Sequence, residues 1–393
     1  MRKISVNERR ARLGIKHHLA LEHRATHSTD IAKRLVGFHG TDPATVYLSA
    51  IARSQGNAIE ELDSSLYEDR SLIRTMGMRR TVWVVHHDTL PMVLASSTHK
   101  IAVAERKKLI QHIEQGGVAK DGARWLKKVE SDTLAALRKR GSASANELSD
   151  DVPALRTTIT MGEGKPYETQ QRLTSRVLSL LSTESRIVRG RPSGSWLSSQ
   201  YTWAPIEACF PEGLPQPSVE QAQEQVLRQW LGAFGPATQA DMVWWTGWTA
   251  RDVKRALQAI RAVEVELDEG PAFLLEEDEP PVKAPKPWVA LLPALDPTAM
   301  GWMSRDWYLG SHRSALFDGT GNIGPTVWSN GEIIGGWAQH PATGDIVTEL
   351  FSGAGAKVIG ALTVATERLK EVLSDVRVKA RFPTPTEKKL LAS

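Results

Sequence analysis

Three polar side chains gathered within four residues, His39-Gly40-Thr41-Asp42, are the part of this 393-residue chain best suited to chemistry. Histidine titrates near neutral pH, and with a neighbouring hydroxyl it can hold and polarise a water molecule. In an extended turn His39 and Thr41, two positions apart, project to the same side. Thr41 and Asp42 are also the residue types that cap a helix opening at Pro43, so spacing alone leaves both uses open. The charge around them bears on the partner. Residues 1–140 carry 25 Lys and Arg against 15 Asp and Glu, whereas the whole chain sums to only +4. A basic third on a near-neutral remainder reads either as a footprint for nucleic acid or as a solvated helical surface.

Other motifs carry less. Gly319-Thr-Gly321-Asn-Ile-Gly324 matches a dinucleotide fingerprint to the letter, but Pro325 and a strand follow it where a helix is needed. His23 and His27 stand one helical turn apart with no carboxylate or cysteine at matching spacing, so no metal site is expected. His86-His87-Asp88 reads as a strand-to-helix turn with a cap, and as a minor candidate for phosphate contact. Of 13 tryptophans, Trp83, Trp302 and Trp307 are candidates for base stacking, with core packing as the default. A single cysteine, Cys209, excludes a disulfide framework, no apolar run is long enough to span a membrane, and the N-terminus lacks a secretory core. The expectation is a cytoplasmic protein needing no cofactor.

The elements that would position these groups read as α+β, in repeats. Ser5 with Glu8 opens a first helix, Ser28-Thr29-Asp30 caps a second and Pro43 opens a third; residues 75–85 then form a strand. Helix, helix, helix, strand is the grammar of a winged helix-turn-helix. A second copy runs from a helix over 130–140 through the capping box Ser144–Glu147 and a helix over 168–181. It ends in a wing from Arg186 through Arg189 and Arg191 to Trp203. A third copy has helices capped by Ser218, Thr238 and Thr249 and a hairpin around Gly270. After 288 short strands take over, with Asn330-Gly331 as a hairpin turn, then a helix over 356–376 and a basic, Pro-rich tail on the surface. The domains are therefore 1–128, 129–210, 217–283 and a β-rich 284–393.

The chain resembles the AlkZ-like and YcaQ-like winged-helix family of bacterial DNA glycosylases. The resemblance lies in Asp42-Pro43-Ala-Thr-Val-Tyr47-Leu48, Arg74-Thr-Met-Gly-Met-Arg79-Arg80-Thr81, Ala240-Asp241-Met-Val-Trp244-Trp245-Thr-Gly247 and Leu291-Leu-Pro293-Ala-Leu-Asp296-Pro297. The stretch from Arg305 to Gly336-Trp337 carries it further. It implies three tandem winged-helix units around a C-shaped, basic, concave surface that takes duplex DNA. It also implies monofunctional excision of bulky alkylated or crosslinked bases, in DNA repair or genotoxin self-resistance. The family's catalytic pair, Gln-x-Gln or Gln-x-Asp, falls on His39 and Thr41 here, with Asp42 beside them. Arg79, Arg80, Arg189, Arg191 and Arg305 are the expected phosphate contacts, and the protein is expected to act as a monomer. The competing expectation is a non-catalytic DNA-binding regulator or lesion sensor, since winged helices serve both.

Overall fold

One order of elements, helix–short strand–helix–helix–strand–strand, occurs three times along the chain. The computed structural model describes every residue except 162, 163, 165–167, 352, 380 and 393. The first copy comprises Ser28–Arg34, Phe38–His39, Pro43–Ile51, Ala58–Tyr67, Leu72–Met76 and Val82–His86. Its short strand pairs with the last one, Phe38 opposite Val84 and His39 opposite Trp83. In the second copy Ala143–Ser144 pairs in the same way with Tyr201–Pro205. In the third the short strand is reduced to a bridge between Ala237 and Phe273. Here Arg2–Lys3 adds a parallel strand beside Val263–Leu267.

Local chemistry sets these starts and stops. Asp42 accepts the amide of Ala44 and Pro43 occupies the first turn of Pro43–Ile51, where no amide hydrogen is needed. Ser144 with Glu147, Ser218 with Gln221 and Thr238 with Asp241 each form a reciprocal capping box. The helix Gln239–Thr246 stops at Gly247, whose φ of 72° lies in the left-handed region that glycine adopts without strain.

Two stretches differ from the sequence-based expectation. Residues 169–172 are a strand, not the start of a helix: Thr158–Met161 and Thr169–Arg172 form an antiparallel hairpin inserted between two helices of the second copy. The helix begins only at Leu173, whose amide donates to Thr157 O. Cross-strand pairing, with Gln170 Nε2 donating to Thr160 Oγ1, overrides the helical preference of the glutamines. The tail after 381 is not a loose surface segment either. Thr384 and Glu387 cap the helix Pro385–Ala392, and Thr384, Thr386 and Glu387 are buried. That helix rests on Glu332–Gln339, the third strand of a four-stranded antiparallel meander that begins at Val289–Leu292.

The cores divide unevenly. The second copy buries its own cluster around Leu126, Leu148, Val177 and Leu181. The first and third copies share a larger one with the meander and the helix Ala356–Leu373. Within that shared interior Arg53 and Asp296, both fully buried, face each other at 2.6 Å. Ser49 and Thr298 complete the hydrogen bonding of the pair. The pair ties the first copy to the loop that follows the meander's first strand. No helix of the described residues is long and apolar enough to cross a membrane.

Candidate active site

The turn at residues 39–42 is built by three constraints. Val36 adopts φ 66°, a conformation a β-branched residue takes only when its surroundings impose it. Gly37 follows, where a Cβ would stand 2.7 Å from Val84 O. The chain can therefore approach the strand Val82–His86 closely enough to pair. Gly40 N then donates to Val82 O at 2.7 Å. Its carbonyl accepts from Arg74 Nη1 at 3.0 Å. Asp42 finally caps the next helix, which fixes the direction in which the turn leaves the sheet.

His39 is 3% exposed, and its ring meets Trp83 edge-on with 5.5 Å between centroids. Burial, with a smaller contribution from the Arg79 guanidinium, pushes its pKa down to about 4. It is therefore neutral at physiological pH. Its Nδ1 is shut off from solvent and has no hydrogen-bond partner, and the same holds for Thr41 Oγ1. Asp42 spends one carboxylate oxygen on Ala44 N at 3.2 Å, and burial raises its pKa.

Two clefts flank the turn. One, of about 630 Å³, lies between the first and second copies and is lined by Gly40, Thr41 and Arg74 on one side. Ser144, Asn146, Ser175, Ser179, Arg189 and Tyr201 line the other side. Asp42 instead faces a smaller recess against Pro293, Gln339 and Arg381. Thr41 thus lines the first cleft and Asp42 the recess, with His39 packed behind the turn against Trp83.

A family model for "DNA glycosylase AlkZ-like" matches residues 32–372 of this chain. The chain belongs to the AlkZ-like DNA glycosylase family. Among solved structures it is similar to the DNA glycosylase AlkZ of Streptomyces sahachiroi. That match has a TM-score of 0.72 and 19% identity, and it covers 96% of this chain and 99% of that one. At that identity the likeness speaks to the fold. No curated protein matches. An AlkZ-like chain is a hydrolase of N-glycosyl bonds in DNA, an enzyme of DNA repair, and the regulator reading gives way to it.

For this AlkZ-like chain the five arginines named from sequence divide by their surroundings. Among the described residues Arg189 has no ion-pair partner; burial and the neighbouring Arg74 lower its pKa to about 10. Arg79 stacks 3.9 Å from the Trp244 ring, its Nε buried and unpartnered, and burial with repulsion from Arg305 lowers its pKa to about 10. Arg80 is exposed and pairs with Glu105. Both Arg79 and Arg80 line a second cleft of about 620 Å³ that also holds His99, Lys100 and Arg255. Arg191 pairs with Asp63 and Glu68. Arg305 is 7% exposed, donates to Trp302 O and stacks on Trp244 and Phe317. The tryptophans considered for base stacking, Trp83, Trp302 and Trp307, are all core residues. His86 and His87 make the expected turn, with Asp88 N donating to His86 Nδ1. The Gly319–Gly324 stretch is a loop closed by Asp318, which accepts the amides of Thr320 and Asn322.

Sequence reasoning missed Arg74 and Tyr201. The signal for Arg74 was present, a cation inside the otherwise apolar strand Leu72–Met76.

Proposed function

We propose that this chain excises bulky alkylated bases from duplex DNA by attack of a water held between His39 and Thr41. The observation that carries the reading is the pair of buried, unpartnered polar atoms, His39 Nδ1 and Thr41 Oγ1, two residues apart. Buried polar groups are usually satisfied, so two such atoms on one short turn support a reading in which they hold an ordered water in the working state. The resemblance of the surrounding residues supports the reading, since it implies that these two fall at the family's catalytic pair.

In the reaction the C1′–N bond breaks, the base departs with the electron pair and water oxygen bonds to C1′. The proton of the water passes to the neutral imidazole and on to solvent. An N-alkylated purine is cationic before departure and neutral after it, so no further acid is needed. Asp42, one residue from Thr41, supports the positive charge that develops on the sugar. A damaged, poorly stacked nucleotide is cheap to extrude, which supplies part of the selectivity. Arg79 and Arg189 are free to take phosphates as they stand. Arg80 and Arg191 would exchange a carboxylate for one, and Arg305 would first have to leave its buried position. The protein acts as a cytoplasmic monomer in this reading.

The test is base release from a duplex carrying a single alkylated purine, followed as abasic-site formation. Wild-type protein is expected to leave abasic sites. Intact DNA after prolonged incubation with excess protein would contradict the reading.

A further inference from the structure

Several arginines of this chain are matched with acids. Arg53 faces Asp296, Arg106 bridges Glu130 and Glu184, and Arg191 takes Asp63 and Glu68. Arg74 and Arg189 break that pattern. Both flank one ring: Arg74 Cζ is 5.0 Å and Arg189 Cζ 6.0 Å from the centroid of Tyr201. Arg189 also lies 5.2 Å from Trp203. The Tyr201 hydroxyl is buried with no hydrogen-bond partner. Arg74 makes one hydrogen bond, to Gly40 O, and Arg189 makes none among the described residues.

Two guanidinium groups and an unpartnered phenol, held together in a cleft whose described lining has no carboxylate, repel one another until an anion joins them. The pair around Trp244 does not offer the same opportunity, because Arg305 there is buried and already donates to Trp302 O. The rest of the wall narrows the choice of anion. Ser175 and Ser179, one turn apart on the helix Leu173–Thr183, add neutral donors of the kind that grip a nucleic-acid backbone without reading its bases. The site of attack, Thr41, opens into the same cleft.

We propose that Arg74, Tyr201 and Arg189 seat one phosphodiester beside the excised nucleotide, and that Arg74 links occupancy of this seat to the turn at Gly40. The proposal rests on the reading that 39–42 is the site of base release. The seated phosphate accepts from both arginines and the phenol. Arg74, still donating to Gly40 O, is thereby fixed from both ends, and with it the backbone between His39 and Thr41. Arg189 and Tyr201 thus serve binding, whereas Arg74 is a positioning residue.

A scan with single methylphosphonate linkages, each removing one phosphate charge near one alkylated purine, tests this. For wild-type protein, one linkage is expected to cost about tenfold in Kd, the scale of one charge-assisted contact. Arg189→Met should bind the all-phosphate duplex about tenfold more weakly, be indifferent to that same linkage, and lower the salt slope of log K by about one. Tyr201→Phe, which removes only the hydroxyl, should weaken the same linkage's effect and guards against misfolding of the arginine variant. Arg74→Met, which loses its contact to the phosphate and its hold on Gly40 O together, should weaken Kd about as Arg189→Met does and in addition lower the release rate at saturating protein by tenfold or more, and Arg74→Lys should restore part of that rate. Inorganic phosphate should compete no better than chloride at equal ionic strength; specific competition would make the seat one for free phosphate and overturn the proposal. So would Arg189→Met and Tyr201→Phe proteins that feel every linkage as wild type does. Because the scan reads Kd, it reports on the seat even where no base is released, and a missing abasic product counts against the catalytic reading instead.

Discussion

His39 is buried, and its surroundings make it act as a neutral residue. Because its folded pKa is about 4, the imidazole stays an acceptor across the physiological range. The single-turnover release rate should therefore be flat from pH 8 to 6 and fall as pH approaches 4, where the acceptor is lost. A rate that halves near pH 6.5, the ordinary histidine value, would show that the ring is not held neutral. The same burial sets a stability trend. Below about pH 6.5 the unfolded chain binds a proton at this histidine that the folded chain refuses, and the penalty grows until pH falls through the folded value. Buried His17, lowered for the same reason, adds to it. The denaturant midpoint should thus decline between pH 6.5 and 4, less steeply in His39→Ala. Thr41→Val keeps the shape and removes the hydroxyl, and should slow release about tenfold, the scale of one hydrogen bond. The sequence located these residues because polar types cluster at a predicted helix start. It could not show how the turn is held, since that depends on Val36 and on the pairing of Gly40 with Val82.

At the scale of elements, most caps were legible as short local patterns with one mechanism, but the expected cap at Ser28–Asp30 does not form: the helix starts at Ser28 itself without a local side-chain cap, and Glu61 accepts Ser28 N instead. Thr238-Gln-Ala-Asp241 shows what such a pattern can hide. Beyond capping its helix, Asp241 accepts the amides of Met303 and Ser304 at 2.8 and 3.0 Å, joining the third copy to the segment between the meander's first two strands. Asp241→Ala should cost about 2–4 kcal/mol, a lost cap plus unsatisfied buried donors; chemical denaturation gives the value. A change below about 0.5 kcal/mol would mean water satisfies those amides. The same Thr-x-x-Glu box was present at Thr384–Glu387, yet Pro383 and Pro385 around it read as a loose tail. What decided otherwise was tertiary: the helix packs on the meander, with Thr386 against Gly336, which no local pattern specifies. The hairpin at 158–172 escaped for a related reason, since glutamines favour helix until a partner strand claims them.

At the scale of the molecule, repetition is what made the fold readable, and the divided core is what made the site unreadable. Three copies of one element order announce themselves along the chain, whereas the cleft with Thr41, Arg74 and Tyr201 exists only where two copies meet. Arg53 and Asp296 stand nearly 250 positions apart in the chain and depend wholly on that assembly. Removing one partner of a fully buried pair strands the other charge, so Asp296→Ala should destabilise the shared core by about 3–5 kcal/mol. Because the second copy has its own core, its unfolding should respond far less, which tryptophan fluorescence and proteolysis can separate.

The account stands most directly on one comparison: abasic-site formation by wild-type and His39→Ala protein on a duplex with one alkylated purine, alongside Kd for the same duplex. The expected result is release by wild type and a loss of about 100-fold or more in His39→Ala, with affinity within threefold. Release by His39→Ala at the wild-type rate would place the chemistry elsewhere in the molecule.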